Sequence, residues 1–145
     1  MQVKVAQENN ILDITRFLID EFHGSYIDTF PKVDFDKTLL YVCRHVIEGV
    51  VFFIEKDHKI IGVIAGIEAE YWYSKEKFIS EGFFFVHPDH RKSRIAFKLI
   101  QELKKYAKNL DLRLICGVSS GDDVERKDRF FEFNGLNRIG GIYIC

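Results

Sequence analysis

The chain has 145 residues, 47% of them hydrophobic and 30% charged, with 21 basic against 22 acidic side chains. That balance excludes a disordered tail, a collagen-like repeat, and bulk electrostatic binding to nucleic acid or an anionic membrane. One domain over 1–145 is expected, because a chain of this size buries about 70% of its unfolded surface without a disulfide or metal. No run approaches the 18 or so apolar residues of a membrane span, and MQVKVAQENN has no signal-peptide core, so a cytoplasmic setting is the default. Cys43, Cys116 and Cys145 are scattered and without CxxC spacing, which reads as unpaired thiols in a reducing compartment.

In chain order, 3–7 alternates like a short strand. From Asn9 to His23, Ile11, Ile14, Leu18 and Phe22 fall at helical spacing, with Asn9 or Asn10 as cap and Gly24 as breaker. A second helix runs from Asp34 or Asp36 to Glu48 and stops at Gly49. VVFFI (50–54), the polar EKDHK and IIGVIAGI (60–67) make an antiparallel hairpin, and ISEGFFFV (79–86) is a further strand ended by His87-Pro88. A long helix from about Arg91 to Leu110 carries Ile95, Leu99, Ile100, Leu103 and Ala107 on one stripe. A strand at 112–118, a helix from Asp122 to Asn134 stopped by Gly135, and a strand at 139–144 complete the chain. The order β-α-α-β-β-β-α-β-α-β implies an α/β fold, with a mixed sheet flanked by helices.

The chemistry is concentrated in FFFVHPDHRKSRIAFKLI (83–100). An apolar strand stops at Pro88, a polar turn follows, and a helix begins. The first N–H groups of a helix have no partner within it, and its dipole adds positive charge, so the turn is an anion site. Between 91 and 108 there are seven Lys or Arg and one acid, Glu102, so a phosphate-bearing ligand fits. A solvated basic helix is the plainer reading of the same residues.

Val86, Pro88, Arg91, Ile95 and Ala96, followed by an amphipathic helix, resemble the acyl-CoA signature of the GNAT N-acetyltransferases, Q/R-x-x-G-x-G/A. Arg91 and Ala96 match its ends, Arg94 stands at its first Gly, and F-F-E-F-N-G-L (130–136) resembles the family's later block. The resemblance extends over the whole chain. It implies a splayed central sheet, with acetyl-CoA as co-substrate lying between the strand through Phe85 and Val86 and the strand at 112–118. The backbone from Arg91 through Lys92, Ser93, Arg94 and Ile95 to Ala96 would cradle the pyrophosphate. Direct transfer of acetyl to an amine would follow, with no metal.

The resemblance also assigns roles. Glu81, at the start of the signature strand, is the candidate base, and alternation expects it on one face with Phe83 and Phe85. The family's frequent acid, a Tyr, falls on Phe131, which has no proton to give. Ser119 and Ser120 are the nearest replacements, and a thiol pKa near 8.5 also lets the thiolate leave unassisted. His23, Tyr26, Trp72 and Tyr73 are expected at a partly aromatic acceptor site.

Other chemistries fail on spacing. His87 and His90 lack a third metal ligand. No G-x-S-x-G or G-x-x-x-x-G-K-[ST] occurs, and the basic helix has no interleaved aromatics for nucleic-acid stacking. The expected partner is a small-molecule or peptide amine, with neither nucleic acid nor membrane. The chain extends ten residues past Gly135, which leaves a homodimer sharing the last strand open. The alternative function, motivated by Phe131, is a catalytically weak or inactive GNAT-like module that binds an acyl-CoA or regulates.

Overall fold

VVFFI is buried on both sides, and this sets the architecture. In the computed structural model, which describes residues 1–25 (backbone only for 22–25), 31–119, 121 and 123–145, this run belongs to β2 (Val50–Lys56). Val50, Phe52 and Ile54 join one apolar cluster, and Val51 and Phe53 join another on the opposite face. Alternating side chains of one strand thus feed two cores, and the sheet needs helices on both sides.

The strands are β1 (Lys4–Val5), β2, β3 (Lys59–Glu70), β4 (Lys77–Val86) and β5 (Arg113–Ile115), paired in sequence order. All pairs are antiparallel except β4–β5, which is parallel. The β2–β3 turn is tighter than EKDHK suggests. Only Asp57 and His58 lie between the strands, both left-handed at φ 53° and 61°, the geometry that suits a two-residue hairpin.

Helices α1 (Ile11–Ser25) and α2 (Phe35–Glu48) cover one face through Ile14, Leu18 and Val42. The Asn10 side chain accepts the Gln7 N–H at 2.9 Å at the entrance to α1, and the helix continues through Gly24. Asp34 caps α2 by accepting the Lys37 N–H at 2.8 Å, and the Gly49 N–H closes it on the His45 carbonyl. The other face is covered by α3 (Ile95–Asn109) through Ile95, Leu99, Ile100, Leu103 and Ala107, and by α4 (Val124–Phe133). Leu103 is fully buried and packs where a side chain on Gly66 would stand. Leu103→Ala is therefore expected to cost about 2–5 kcal/mol in a urea melt, the range for deleting a buried leucine.

Four further expectations need correction. First, α3 starts at Ile95 rather than near Arg91. Pro88 opens a 3-10 turn, the Arg91 N–H bonds the Pro88 carbonyl, and the first α-type bond runs from Lys98 to Arg94. Second, β5 is three residues rather than seven, because it parts from β4 after the Ser80–Ile115 pair. Third, 139–144 forms no strand. Gly140 and Gly141 raise its ordering cost, and Ile139, Ile142, Tyr143 and Ile144 are exposed.

The fourth concerns β4. Glu81 pairs with Gly66 and Phe83 with Ala65, so Gly82 is an extra residue, a β-bulge. Ile79 joins the α3-side core and Phe83 the α1/α2-side core, which unbroken alternation would forbid. The shared face expected for Glu81, Phe83 and Phe85 is interrupted at Gly82.

Candidate active site

Where β4 and β5 part, a cleft of about 700 Å³ opens. Its floor is β4 from Glu81 to Val86. Gly117, Val118 and Ser119 continue β5 along one side, Phe130 and Phe131 of α4 close it, and α2 forms the opposite rim. Phe84 packs against both α4 rings, with centroids 5.9 Å from Phe130 and 6.3 Å from Phe131. The position expected to hold a tyrosine acid is therefore part of a hydrocarbon wall.

Glu81 stands at the fork. Desolvation by the protein around it pushes its carboxyl up from the usual carboxylate range to about 7. Its charge is felt by two neighbours. The Tyr41 phenol is pushed up by burial and then by Glu81, and the Cys116 thiol likewise. A carboxylate that titrates near neutrality inside a cleft is poised to take a proton from an ammonium group.

The bulge that sets Glu81 is gripped from α2. The Tyr41 hydroxyl donates to the Gly82 carbonyl at 3.2 Å. His45, 1% exposed, bonds the Tyr41 carbonyl through Nδ1 at 2.8 Å, and burial holds its pKa below the usual histidine value. Its Nε2 is aimed at Gly82, so that a Cβ there would come within 2.2 Å.

At the other end of the cleft the chain turns into α3. Arg91 Nε donates to the Val86 carbonyl at 3.0 Å, and its Nη2 lies 3.4 Å from the buried Glu21, which ties α1 to the turn. Ser93 Oγ accepts the Ile95 N–H at 3.3 Å, and the N–H groups of Ala96 and Phe97 precede the first helical bond to Arg94. The Arg94 guanidinium lies over the Phe97 ring at 5.1 Å, stacked on its own helix.

The structure brings Glu81, Phe85, Val86, Arg91, Ala96 and Ser119 to the cleft. Lys92, Ser93 and Arg94 form the exposed turn beside it, and the Ile95 side chain is in the core. Trp72 and Tyr73 are not brought there. They sit at 95% and 70% exposure on the β3–β4 turn, where Tyr71 packs between Tyr73 and Phe78. The His23 side chain, Tyr26 and Ser120 lie outside the described residues. Sequence reasoning missed the α2 rim, Lys37, Thr38, Tyr41 and Arg44. The signal was available, since 37, 41 and 44 repeat at helical spacing.

Among the described residues no group of three or more His, Cys, Asp or Glu could hold a metal ion. No helix among them is long and apolar enough to cross a membrane.

The fold matches solved structures along its length. An aminoglycoside 6′-N-acetyltransferase from Acinetobacter haemolyticus superposes with a TM-score of 0.72 at 18% identity, covering 100% of this chain and 97% of the other. A ribosomal-protein-alanine N-acetyltransferase from Brucella melitensis gives 0.70 at 14%, covering 100% and 99%. A second aminoglycoside N-acetyltransferase, solved with CoA, gives 0.73 at 12%, covering 99% and 92%. No curated protein sequence matches significantly. The family model for the acetyltransferase (GNAT) family matches residues 13–135, and on that match and this architecture the chain belongs to the GNAT acetyltransferases.

Proposed function

We propose that the cleft binds acetyl-CoA and passes its acetyl group directly to an amine, with Glu81 as the base. The observation that carries this reading is Glu81 itself, a carboxyl pushed up to about 7 at the fork between β4 and β5. The residues fit the cofactor in two ways. The gap between diverging parallel strands suits an extended pantetheine arm lined by Phe84, Phe85 and Val118. The start of α3 presents N–H groups and dipole charge to a pyrophosphate, and the stacked Arg94 leaves that approach unblocked.

When bound, acetyl-CoA supplies the activated acetyl group. Glu81 takes a proton from the incoming ammonium, directly or through one water. Tyr41, on the Gly82 carbonyl, holds the bulge that aims Glu81. The walls from α2 and α4 hold the two reactants together, which accounts for most of the acceleration available to such a site. The amine is held from the α2 rim rather than by Trp72 and Tyr73.

Calorimetric titration tests the cofactor reading. Acetyl-CoA is expected to bind, and acetyl-pantetheine, which lacks the pyrophosphate, at least about tenfold more weakly, because charge-assisted bonds to N–H groups are lost. Equal affinity for the two, or none for acetyl-CoA, would overturn it.

Phe131 favours a second reading, a module that binds acyl-CoA and turns over poorly. On the main reading the thiolate leaves unassisted, as a group with a pKa near 8.5 can. Phe131→Tyr is then expected to change kcat by less than about threefold. A gain of about 10²-fold, the scale of restored acid catalysis, would favour the second reading.

A further inference from the structure

The rim contributed by α2 has a charge pattern of its own. Lys37, Tyr41 and Arg44 are spaced four and three residues apart and all line the cleft, so they form one stripe two turns long. The two cations stand roughly 10 Å apart along the helix, at 1.5 Å per residue. Facing them, Glu81 is the one carboxylate among the described residues that line the cleft. The acid nearest Lys37 in the helix cap, Asp34, is committed to the Lys37 backbone N–H. The Lys37 ammonium has no ion-pair partner among the described residues. Among the described residues Arg44 pairs only with Glu48, at 3.2 Å, both of them more than half exposed. An exposed pair of that kind is weak and leaves the guanidinium fork available.

This arrangement suits one kind of acceptor and penalises another. The reacting ammonium needs one carboxylate, and Glu81 is there. An acceptor with further ammonium groups would set them against Lys37 and Arg44 with no second carboxylate to meet them. An acceptor with an anionic group away from its amine would complement both ends.

Resting on the acetyl-transfer reading above, we propose that the acceptor is a small amine carrying a carboxylate, an amino acid or short acidic peptide, held by Lys37 and Arg44 while its amine lies at Glu81. The polycations named for some of the fold's relatives are then poor acceptors here.

The test compares acceptors that share one amine. Glycyl-aspartate amide and glycyl-asparagine amide differ by one negative charge at nearly constant shape, and spermidine serves as the polycation. Amine-dependent release of CoA thiol is followed at low and at high salt. The aspartate peptide is expected to exceed the asparagine peptide in kcat/KM by about tenfold or more at low salt, with the ratio shrinking as salt screens the contact. Spermidine should be the slowest. Lys37→Gln and Arg44→Gln, both at exposed positions and checked by their melting curves, should each pull the aspartate-to-asparagine ratio toward one. Arg44→Glu should push it below one.

Equal kcat/KM for the two peptides, or spermidine as the best acceptor, would overturn this proposal while leaving acetyl transfer intact. Ratios unmoved in the variants would overturn it too. If acetyl-CoA binds but no amine of any charge releases thiol, the transfer reading itself fails, and the acceptor assignment with it.

Discussion

Glu81→Gln is expected to abolish the limb of the pH–rate profile centred near pH 7 and to lower kcat/KM by about 10²–10⁴-fold above it, the range for losing a positioned base. The wild-type rate should rise as Glu81 ionises and level off once it has. In the variant, what pH dependence remains should follow the acceptor's own ammonium. The loss is therefore largest at high pH, where the wild-type base is ionised, and smallest well below pH 7. A variant that keeps the limb would remove Glu81 from the mechanism.

The same substitution has a second, opposite consequence. Glu81 has its pKa raised in the folded chain, from 4.5 to about 7, by desolvation. Between those values the folded protein keeps a proton that the unfolded chain has released, so stability falls as pH rises through this window. Glutamine carries no charge to bury. Urea melts should show the variant gaining on the wild type from pH 4.5 to 7 and staying ahead above it. A base held at neutral pH by desolvation costs the fold stability where it serves catalysis.

Gly82→Ala is expected to disturb the fold and the site together. Its Cβ would meet the His45 ring at 2.2 Å, and that ring has little freedom to retreat. It is tied to the Tyr41 carbonyl and packed between the rings of Tyr41 at 4.4 Å and Phe83 at 5.6 Å. Overpacking of this kind costs about 1–3 kcal/mol or more. Activity should fall as well, because the bulge sets Glu81. His45→Ala opens a cavity and destabilises on its own account, yet it also removes the clash. In a His45→Ala background, Gly82→Ala should therefore cost less than about 1 kcal/mol, a coupling of about 1–3 kcal/mol between contacting sites. Additive costs in a double-mutant cycle would show that the imidazole does not buttress the bulge.

The sequence made the helices and most strands legible because their signals are local. Gly49, the Asp34 cap and the α3 stripe all sit within a few residues of what they specify. The residues that resembled an acyl-CoA signature also pointed to Glu81, and to the cleft through Phe85, Val86, Arg91 and Ala96. What escaped depends on pairing between distant segments. The slip at Gly82 follows from register against Gly66 and from His45, 37 residues away along the chain, and within ISEGFFFV its one local signal is the glycine itself. The shortness of β5 is equally a matter of where it parts from β4.

Trp72 and Tyr73, expected on the acceptor side, stand away from the cleft for a related reason. Tyr71-Trp72-Tyr73 is a conspicuous aromatic run, but it closes on itself and on Phe78 at the β3–β4 turn. The rim belongs instead to an ordinary-looking helix whose polar stripe gains meaning only opposite Glu81. For 139–144, the apolar run IGGIYI suggested a strand, yet Arg138 Nε donates to the Gly140 carbonyl at 3.0 Å and Ile139, Ile142, Tyr143 and Ile144 stay exposed.

The most direct measurement is amine-dependent release of thiol from acetyl-CoA by the purified protein, with a series of amines and the Glu81→Gln variant run alongside. The expected result is release that needs both an amine and ionised Glu81, with the N-acetylated amine formed in equal amount. Tight binding of acetyl-CoA with no thiol release on any amine would contradict the account and leave a cleft that holds acyl-CoA without transfer.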